Sequence, residues 1–510
     1  MKSNGLRSTA LGALLFMGVT LTVTAADSGE DFDIYTDSGA KQTSKDFEPA
    51  PEQIETNFGK LNFMGGAFPD KASTQAIFDE LDLQRATQAY MDFMPALSLY
   101  AIVKAQVRDL GMTNVSIAGV EADFMFPSEN FLTGNDITVY AFASIDLKLD
   151  GPVVVEIPPG MYGTANGPDF KYITDMGTTG PDEGKGGKYL FLPPDYKGKV
   201  PEGYFVMHSA GYRIWAMMRG FDVGNGDKAI KWFEERLKVY PLAKGPQKDN
   251  FVNASRMGAN TLVPEDGSAF EMLNEIIQYE PSSLFSMEQL GRLATLGIEK
   301  GKPFAPDDRM QKIFDQAAKQ GVAMSRAILY ASREPEINYW PDRHWEKMFL
   351  HNTEFTHNGY LEIDARTLWH YQAIVVSPNL LSTTPGVGTA YLTASKDKNG
   401  AYLMGDKNYR LRVPANAPVK RFWAVTAYDP TSRSLLDSGG NRTVGSMRDH
   451  DVNKDGSVDL YFGPQAPDGK QKNWIKTHTD KGFFVVFRFY GPTEGYIEKS
   501  WTLDDFELVD

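Results

Sequence analysis

The sequence predicts a mainly β protein with an α-helical middle domain. Runs of short apolar strands, separated by Gly, Pro, Asn and Asp, occupy the first and last thirds of the chain. Amphipathic helical patterns occupy the stretch between them. A chain of 510 residues is long enough for two to four domains of ordinary size. We therefore expect two β domains separated along the chain by a helical one.

The composition excludes several classes of function. Hydrophobic residues make up 42% and aromatic residues 12% of the chain, which is ample for large cores and excludes wholesale disorder. The 66 acidic and 52 basic residues give a net charge of −14, which argues against nucleic acid or anionic lipid as the main partner. Because the chain has no cysteine, disulfides, thiolate metal sites, Fe–S clusters and a cysteine nucleophile are excluded.

Residues 1–26 have the pattern of a cleaved signal peptide. Two basic residues precede an apolar run, Leu11–Val23, that is short for a bilayer span, and small residues follow it. The alternative is an uncleaved membrane anchor. We expect cleavage to leave Ala26 or Asp27 at the N-terminus, a periplasmic or secreted location, and no stable membrane anchoring. The acidic residues 27–70 are then expected to form a solvated leader.

Residues 71–225 are predicted to hold a helical segment followed by a β-sandwich-like domain. Apolar residues recur with helical spacing over Ser73–Leu110, and Pro95 should break or kink that helix. Four strand signals follow: Ile137–Leu149, Val153–Pro158, Lys188–Pro193 and Gly203–Ser209. Short strands separated by Gly, Pro and Asp residues are typical of a β-sandwich. The glycine-rich stretch Thr174–Tyr189 lacks the phosphate-binding patterns GxxxxGK[ST] and GxGxxG.

Residues 226–345 are predicted to form the α-helical domain, and residues 346–510 a connector with a second β domain. The helical patterns cover Gly226–Leu242, Ala269–Pro281 and Pro306–Ser332. The later strand signals are Arg410–Pro414, Arg421–Asp429, Ser457–Pro464 and Gly482–Pro492.

Two groups of residues resemble known domains over most of residues 85–505. The first group is Asn135–Tyr140, Asp146 and Gly151–Val154, which resembles a looser copy of the motif of domain of unknown function 1254. The second group resembles domain of unknown function 1214 and comprises Phe422-Trp423, Tyr428-Asp429, Asp455–Ser457, Asn473-Trp474, Arg488, Tyr490–Pro492 and Trp501. The resemblance implies an N-terminal β-sandwich-like domain, a helical segment and a C-terminal jelly-roll-like β domain. It implies no activity.

Several motifs are weighed against simpler interpretations. Ser209 follows His208 without the first glycine of a nucleophile elbow, so a loop between strands is favoured over a nucleophile. Asp451–Asp459 has the first ligands of a calcium loop, but Phe462 replaces the final bidentate glutamate, so a hairpin turn is favoured. No spacing of carboxylates indicates a glycosidase pair.

Four histidines lie between His344 and His370. A helical arrangement would place His344 and His351 on one face, and Glu354 and His357 have the spacing of two metal ligands. The simpler interpretation is an aromatic-rich connector, and we predict no metal and no cofactor. Five aromatic residues of the last domain are interpreted as core rather than as a sugar-stacking face: Trp423, Tyr428, Trp474, Tyr490 and Trp501.

The candidate ligand-binding residues all fall in the first β domain. They are Asn135, Asp136, Tyr140, His208, Arg213 and Arg219. Arg213 and Arg219 share strand parity and point to one face, where each needs water, an acidic partner such as Asp136, or an anionic ligand. We therefore expect a small polar or anionic ligand or a saccharide in an interdomain cleft. The alternative is a metal-independent hydrolase or lyase that uses Tyr, His, Asp and Arg side chains.

Overall fold

The computed structural model describes residues 50–120, 130–220, 226–248, 250–255, 257–381 and 384–509. The predicted signal peptide and the start of the predicted leader lie outside these ranges. The described residues fall into two compact units, which divide between Ser73 and Thr74. No helix in the described ranges combines the length and the apolar character that a bilayer span needs.

The first unit contains a small antiparallel sheet. Its strands are β1 (Gln53–Thr56), β2 (Gly59–Met64) and β3 (Phe68–Pro69). Gly65 and Gly66 both have positive φ, which suits the tight turn between β2 and β3. The prediction of a solvated leader over residues 27–70 is therefore wrong for this part, because backbone pairing orders it despite few apolar residues.

Two helices follow this sheet along the chain, α1 (Lys71–Asp92) and α2 (Met94–Leu110). The predicted break is confirmed, since Pro95 lies in the first turn of α2, where its missing N–H costs no helical hydrogen bond. Gly111 ends α2 in the left-handed conformation.

The first β domain is a two-sheet sandwich. Its strands are β4 (Ile117–Val120), β5 (Val139–Asp146), β6 (Val153–Ile157), β7 (Tyr162–Asn166), β8 (Tyr172–Gly177), β9 (Gly187–Leu192), β10 (Phe205–His208), β11 (Arg213–Gly220), β12 (Lys238–Pro241) and β13 (Phe251–Asn253). The six-stranded sheet has the order β13-β4-β5-β11-β7-β8, and the four-stranded sheet has the order β10-β9-β6-β12. A short helix, α3 (Leu147–Asp150), follows β5, and α4 (Asp227–Arg236) packs into the core between the sheets.

Strand alternation gives the six-stranded sheet two different apolar faces. Ala143 and Ile145 of β5 face the sandwich core, whereas Tyr140 and Phe142 point to the opposite face and join the core formed by the helices. This outer face is important below because it carries the candidate residues.

The helical middle is built from α5 (Ser268–Tyr279), α6 (Met287–Thr295) and α7 (Asp308–Tyr330), and α8 (Ile363–Gln372) packs against α2 and α7. The predicted helix over Gly226–Leu242 is too long, since α4 ends at Arg236. The residues after it form β12, which pairs antiparallel with β6 and buries Val239 and Tyr240.

The second β domain is a jelly-roll-like sandwich. Its strands are β14 (Glu346–Lys347), β17 (Thr389–Ala394), β18 (Asn408–Val413), β19 (Val419–Tyr428), β20 (Thr443–Gly445), β21 (Val458–Gly463), β22 (Trp474–Lys476), β23 (Phe484–Pro492) and β24 (Glu507–Val509). A separate hairpin, β15 (Thr356–His357) and β16 (Tyr360–Leu361), precedes α8, and a short helix, α9 (Glu494–Ile497), follows β23. The sheet orders are β14-β17-β23-β19-β20 and β22-β21-β18-β24. The predicted fold class is confirmed.

Alternation along β23 again separates two faces. Val485, Phe487 and Phe489 fill the core between the two C-terminal sheets. Arg488 and Tyr490 point to the outer face, which meets the first β domain.

Candidate functional site

A cavity lies between the outer faces of the two β domains. Its volume is about 90 Å³, and side chains from both domains line it. We call it the interdomain cavity. Tyr140 and Arg219 come from the first domain, and Tyr391 and Arg488 come from the second.

Strand register explains why these side chains meet. On the first domain, Arg219 of β11 lies directly opposite Tyr140 of β5 and Tyr162 of β7. On the second domain, Arg488 of β23 lies opposite Tyr391 of β17. Side chains of directly opposed residues share one face of a sheet, so Arg219 lies between two tyrosines and Arg488 lies beside one.

Asn135 joins the two domains at the cavity wall. Its side-chain amide donates to the phenol oxygens of Tyr140 (2.8 Å) and Tyr490 (2.7 Å), and its Oδ1 accepts from the backbone N–H of Ile137 at 3.1 Å. Because both hydroxyls accept from this amide, each keeps its own hydrogen to donate elsewhere. Burial raises the pKa of Tyr490 well above its ordinary value, and neighbouring Tyr140 acts in the same direction, so the phenol stays protonated.

Arg488 is a buried cation surrounded by neutral groups. Its side chain is 2% exposed. It donates to the carbonyl oxygens of Thr133 (2.9 Å) and Gly134 (3.3 Å) and to the hydroxyl of Thr426 (3.2 Å). Every hydrogen-bond partner that the described residues give it is neutral, so these contacts solvate the guanidinium without balancing its charge.

Arg219 is the second buried guanidinium of the cavity. It donates to the hydroxyl of Thr389 at 3.0 Å and lies 5.8 Å above the Tyr162 ring. The contact with Thr389 crosses from β11 to β17, so Arg219 also links the two domains.

Asp175 lines the same cavity from β8. Its carboxylate accepts from the Ser377 hydroxyl at 2.9 Å and from the Asn379 amide. Burial raises the pKa of Asp175 to about 6, although its hydrogen-bond donors, Ser377 first, act to lower it. The cavity therefore holds a carboxyl group that titrates near neutral pH.

Three of the six candidate residues come together in the cavity: Asn135, Tyr140 and Arg219. Asp136 lies outside it and is buried among polar groups of the second domain. Its carboxylate accepts from the Thr443 hydroxyl (2.7 Å) and forms ion pairs with Arg442 (3.4 Å) and Arg448 (3.6 Å). We call these four residues the Asp136 cluster.

Arg213 and His208 also lie outside the cavity. Arg213 shares the face of Arg219, as its parity predicts, but it lies at the far end of β11. There it pairs with Asp146 at 3.2 Å and stacks 4.7 Å over Tyr279. His208 ends β10 at an exposed position of the four-stranded sheet.

Sequence reasoning did not select Arg488, Tyr391 or Asp175 as site residues. Arg488 had a usable signal, because a charged residue shares strand parity with Tyr490 in an otherwise apolar strand. Asp175 lies in a segment interpreted only as a glycine-rich loop, and its local pattern carries no signal for a buried carboxylate.

The simpler interpretation holds for Ser209 and for Trp423, Tyr428 and Tyr490, which are buried, whereas Trp474 and Trp501 are half-buried. The hydroxyl of Ser209 donates to the carbonyl of Gly211 at 2.7 Å in a turn between β10 and β11. The five C-terminal aromatic residues do not form one surface, since Trp423 faces the sandwich core and Tyr490 faces the first domain.

Two local predictions are wrong. Asp451–Asp459 is not a hairpin, because β21 pairs with β18 rather than with the preceding strand. Asn453 and Ser457 instead close a turn in which Gly456 has a φ of 82°. Residues 344–351 are not helical, so His344 and His351 do not share a helical face.

Comparison with known proteins finds one family match in each β domain. A family model described as a protein of unknown function (DUF1254) matches residues 118–241, and one described as a protein of unknown function (DUF1214) matches residues 388–494. The two matches lie in the order that the sequence predicts, with DUF1254 before DUF1214.

Among solved structures, the chain is similar to the VPA0106 protein from Vibrio parahaemolyticus. The TM-score is 0.52 and the identity 17%, over 84% of this chain and 100% of that one, which shows a shared fold. A putative uncharacterized protein from Burkholderia cenocepacia matches with a TM-score of 0.39 and 13% identity, over 86% of this chain and 97% of that one. No curated protein matches.

Proposed function

We propose that the protein binds a small organic anion, most simply a monocarboxylate, in the interdomain cavity. The observation that carries this proposal is the guanidinium of Arg488, which is buried among neutral oxygen atoms. Leaving a buried ion without an opposite charge costs roughly several kcal/mol. A bound carboxylate would offset that cost.

The surrounding donors fit an anion. Tyr140 and Tyr391 bring phenol groups to the cavity lining, and Arg219 adds a second guanidinium to the same cavity. Charge-assisted hydrogen bonds of this kind are roughly twice as strong as neutral ones. Hydrogen-bond donors thus converge on the cavity from both domains.

The rest of the lining sets the size and character of the ligand. Apolar side chains such as Phe131, Met217, Phe349 and Ile374 line the cavity beside the polar groups. The volume of about 90 Å³ is smaller than the roughly 150 Å³ cavity that holds benzene. We therefore favour a short-chain carboxylate over a saccharide.

Thermal melting of the tag-free protein with a ligand series tests this proposal. Acetate, propionate and butyrate should each raise the melting temperature in a concentration-dependent way, because they bind the folded state only. Their matched amides, which have the same shape without the charge, should leave it unchanged. Equal stabilisation by acid and amide, or by neither, would refute anion binding.

A second candidate function is a metal-independent hydrolase or lyase reaction on the bound anion. Asp175 favours it, because a carboxyl group with a pKa of about 6 suits general acid–base catalysis near neutral pH. NMR of stabilising ligands incubated with the protein distinguishes the two functions. Unchanged ligand supports binding alone, whereas consumption that Asp175→Asn abolishes supports an enzyme.

We also propose export to the periplasm or beyond, which is supported by the signal-like pattern of residues 1–26. Mass spectrometry of the protein from a cell fractionation should give an N-terminus at Ala26 or Asp27 in the exported fraction. An intact Met1 in the membrane fraction would contradict export by cleavage.

A further inference from the structure

We propose that His351, His357 and Glu362 form a binding site for a divalent transition-metal ion, with Zn²⁺ as the first choice. Within the described ranges, this is the one group of three His, Asp or Glu residues whose ligand atoms all lie within 4.8 Å of one another. The site is separate from the interdomain cavity and does not depend on the proposed function.

A tight hairpin brings two of the ligands together. Asn358 and Gly359 connect β15 to β16 with φ values of 49° and 81°, as a type I′ turn requires. The backbone N–H of Glu362 extends the ladder by donating to the carbonyl of Phe355 at 2.7 Å. Because Glu362 lies opposite Phe355, and Phe355 and His357 are two residues apart, Glu362 and His357 share one face.

His351 reaches this face from the preceding segment. Its φ is 54°, a conformation that is unfavourable for a side chain of this kind and that the surrounding structure must hold. Its ring lies 4.7 Å from the ring of His357, measured between centroids, and its Nε2 lies 3.3 Å from Oε2 of Glu362.

These distances fit a metal centre. Zinc bonds of about 2.0–2.1 Å in tetrahedral geometry place two ligand atoms about 3.4 Å apart, close to the His351–Glu362 separation. His357 needs only a small side-chain rotation to complete the third bond, and its exposed position permits that movement. Two imidazoles and one carboxylate suit Zn²⁺ and leave a coordination position open to water.

The ligand atoms also have unmet bonding capacity. Nε2 of His351 and Oε2 of Glu362 are both buried, and neither makes a hydrogen bond within the described part of the chain. When Nε2 of His351 carries no proton, its lone pair faces the carboxylate oxygen, which is unfavourable in a partly buried site. A cation between them would satisfy both atoms, which is the second, independent reason to infer a metal.

Calorimetric titration of the tag-free, EDTA-treated full-length protein with ZnCl₂ tests the site. We expect one ion per chain in the wild type. The variants His357→Ala and Glu362→Gln should weaken the dissociation constant by at least about tenfold. His208→Ala removes an exposed histidine on another sheet and serves as the matched control, with unchanged affinity.

Cobalt gives a spectroscopic check on the same proteins. Co²⁺ bound by two imidazoles and a carboxylate should give visible absorption bands in the wild type that both ligand variants lose. The melting temperature of the metal-free His357→Ala variant should match that of the wild type, because His357 is exposed. Equal zinc affinity in all variants, or no saturable one-to-one binding in the wild type, would overturn the site.

Discussion

Asn135 and Asp136 are neighbours in the sequence, yet they belong to two different polar regions of the contact between the β domains. In the Asp136 cluster, a buried carboxylate lies between two arginines, so the negative charge of Asp136 is compensated within the protein. In the interdomain cavity, Asn135 orients two phenols beside Arg488, whose partners are neutral. The difference separates an ionic contact that joins the domains from a polar region whose buried guanidinium has neutral hydrogen-bond partners.

The largest expected effect concerns the Asp136 cluster. Asp136→Asn removes the charge that Arg442 and Arg448 share, and breaking a buried ion pair costs about 3–5 kcal/mol. We expect a loss of this order in the free energy of unfolding, measured with urea, and unchanged carboxylate binding by the folded protein.

Asp449→Asn is the matched control for this change. The Asp449 side chain is 80% exposed in its pair with Lys472, so its loss should be below about 1 kcal/mol. Similar losses for the two variants would show that the Asp136 cluster does not hold the domains together.

A second prediction uses Asp175, a buried carboxyl group whose hydrogen-bond partners Ser377 and Asn379 are neutral, unlike the arginines that pair with Asp136. Its folded pKa of about 6 lies above its ordinary value of 3.8, so the folded state binds more protons than the unfolded state. This group therefore favours folding below about pH 4, and that contribution is lost as the pH rises through 6. The change corresponds to about 3 kcal/mol at most.

Asp175→Asn isolates this contribution. The free energy of unfolding of the variant minus that of the wild type should increase between pH 4 and pH 7, because only the wild type loses this contribution. His370, whose pKa burial lowers to about 3, changes stability in the opposite direction over part of this range. Because both proteins contain His370, its effect cancels in the difference. A difference that does not vary with pH would contradict the prediction.

Much of the fold was predictable because local patterns determine it. The alternation in β5 and β11 predicts which residues share a face, and the helical spacing with Pro95 predicts the break between α1 and α2. The pairing of distant elements has no such signal. Asn135 meets Tyr490 across 355 positions, and Arg219 meets Thr389 across 170, so single-sequence reasoning found only one wall of the cavity.

The third prediction concerns a variant that introduces a carboxylate into the interdomain cavity, as in the Asp136 cluster. Asn135→Asp places a carboxylate beside the phenols of Tyr140 and Tyr490, which can donate to it, and near Arg488. We expect the folded protein to remain stable, because the new charge has donors. Carboxylate binding should weaken by about 2 kcal/mol or more, since like charges would then share one cavity. Retained binding at wild-type affinity would argue against an anion site there.

The smallest expected effect comes from substituting lysine for each of the two arginines at opposite ends of β11. Arg219→Lys keeps the charge but loses the planar fork that can hold a carboxylate with two hydrogen bonds. We expect carboxylate affinity to fall about tenfold, or about 1.4 kcal/mol, with a smaller change in the melting temperature of the ligand-free protein. Arg213→Lys, which alters the contact with Asp146 outside the cavity, should leave the affinity unchanged. If Arg219→Lys instead lowers the melting temperature strongly while its folded fraction binds carboxylate normally, Arg219 serves to join the domains, and the ligand must be held by Arg488 alone.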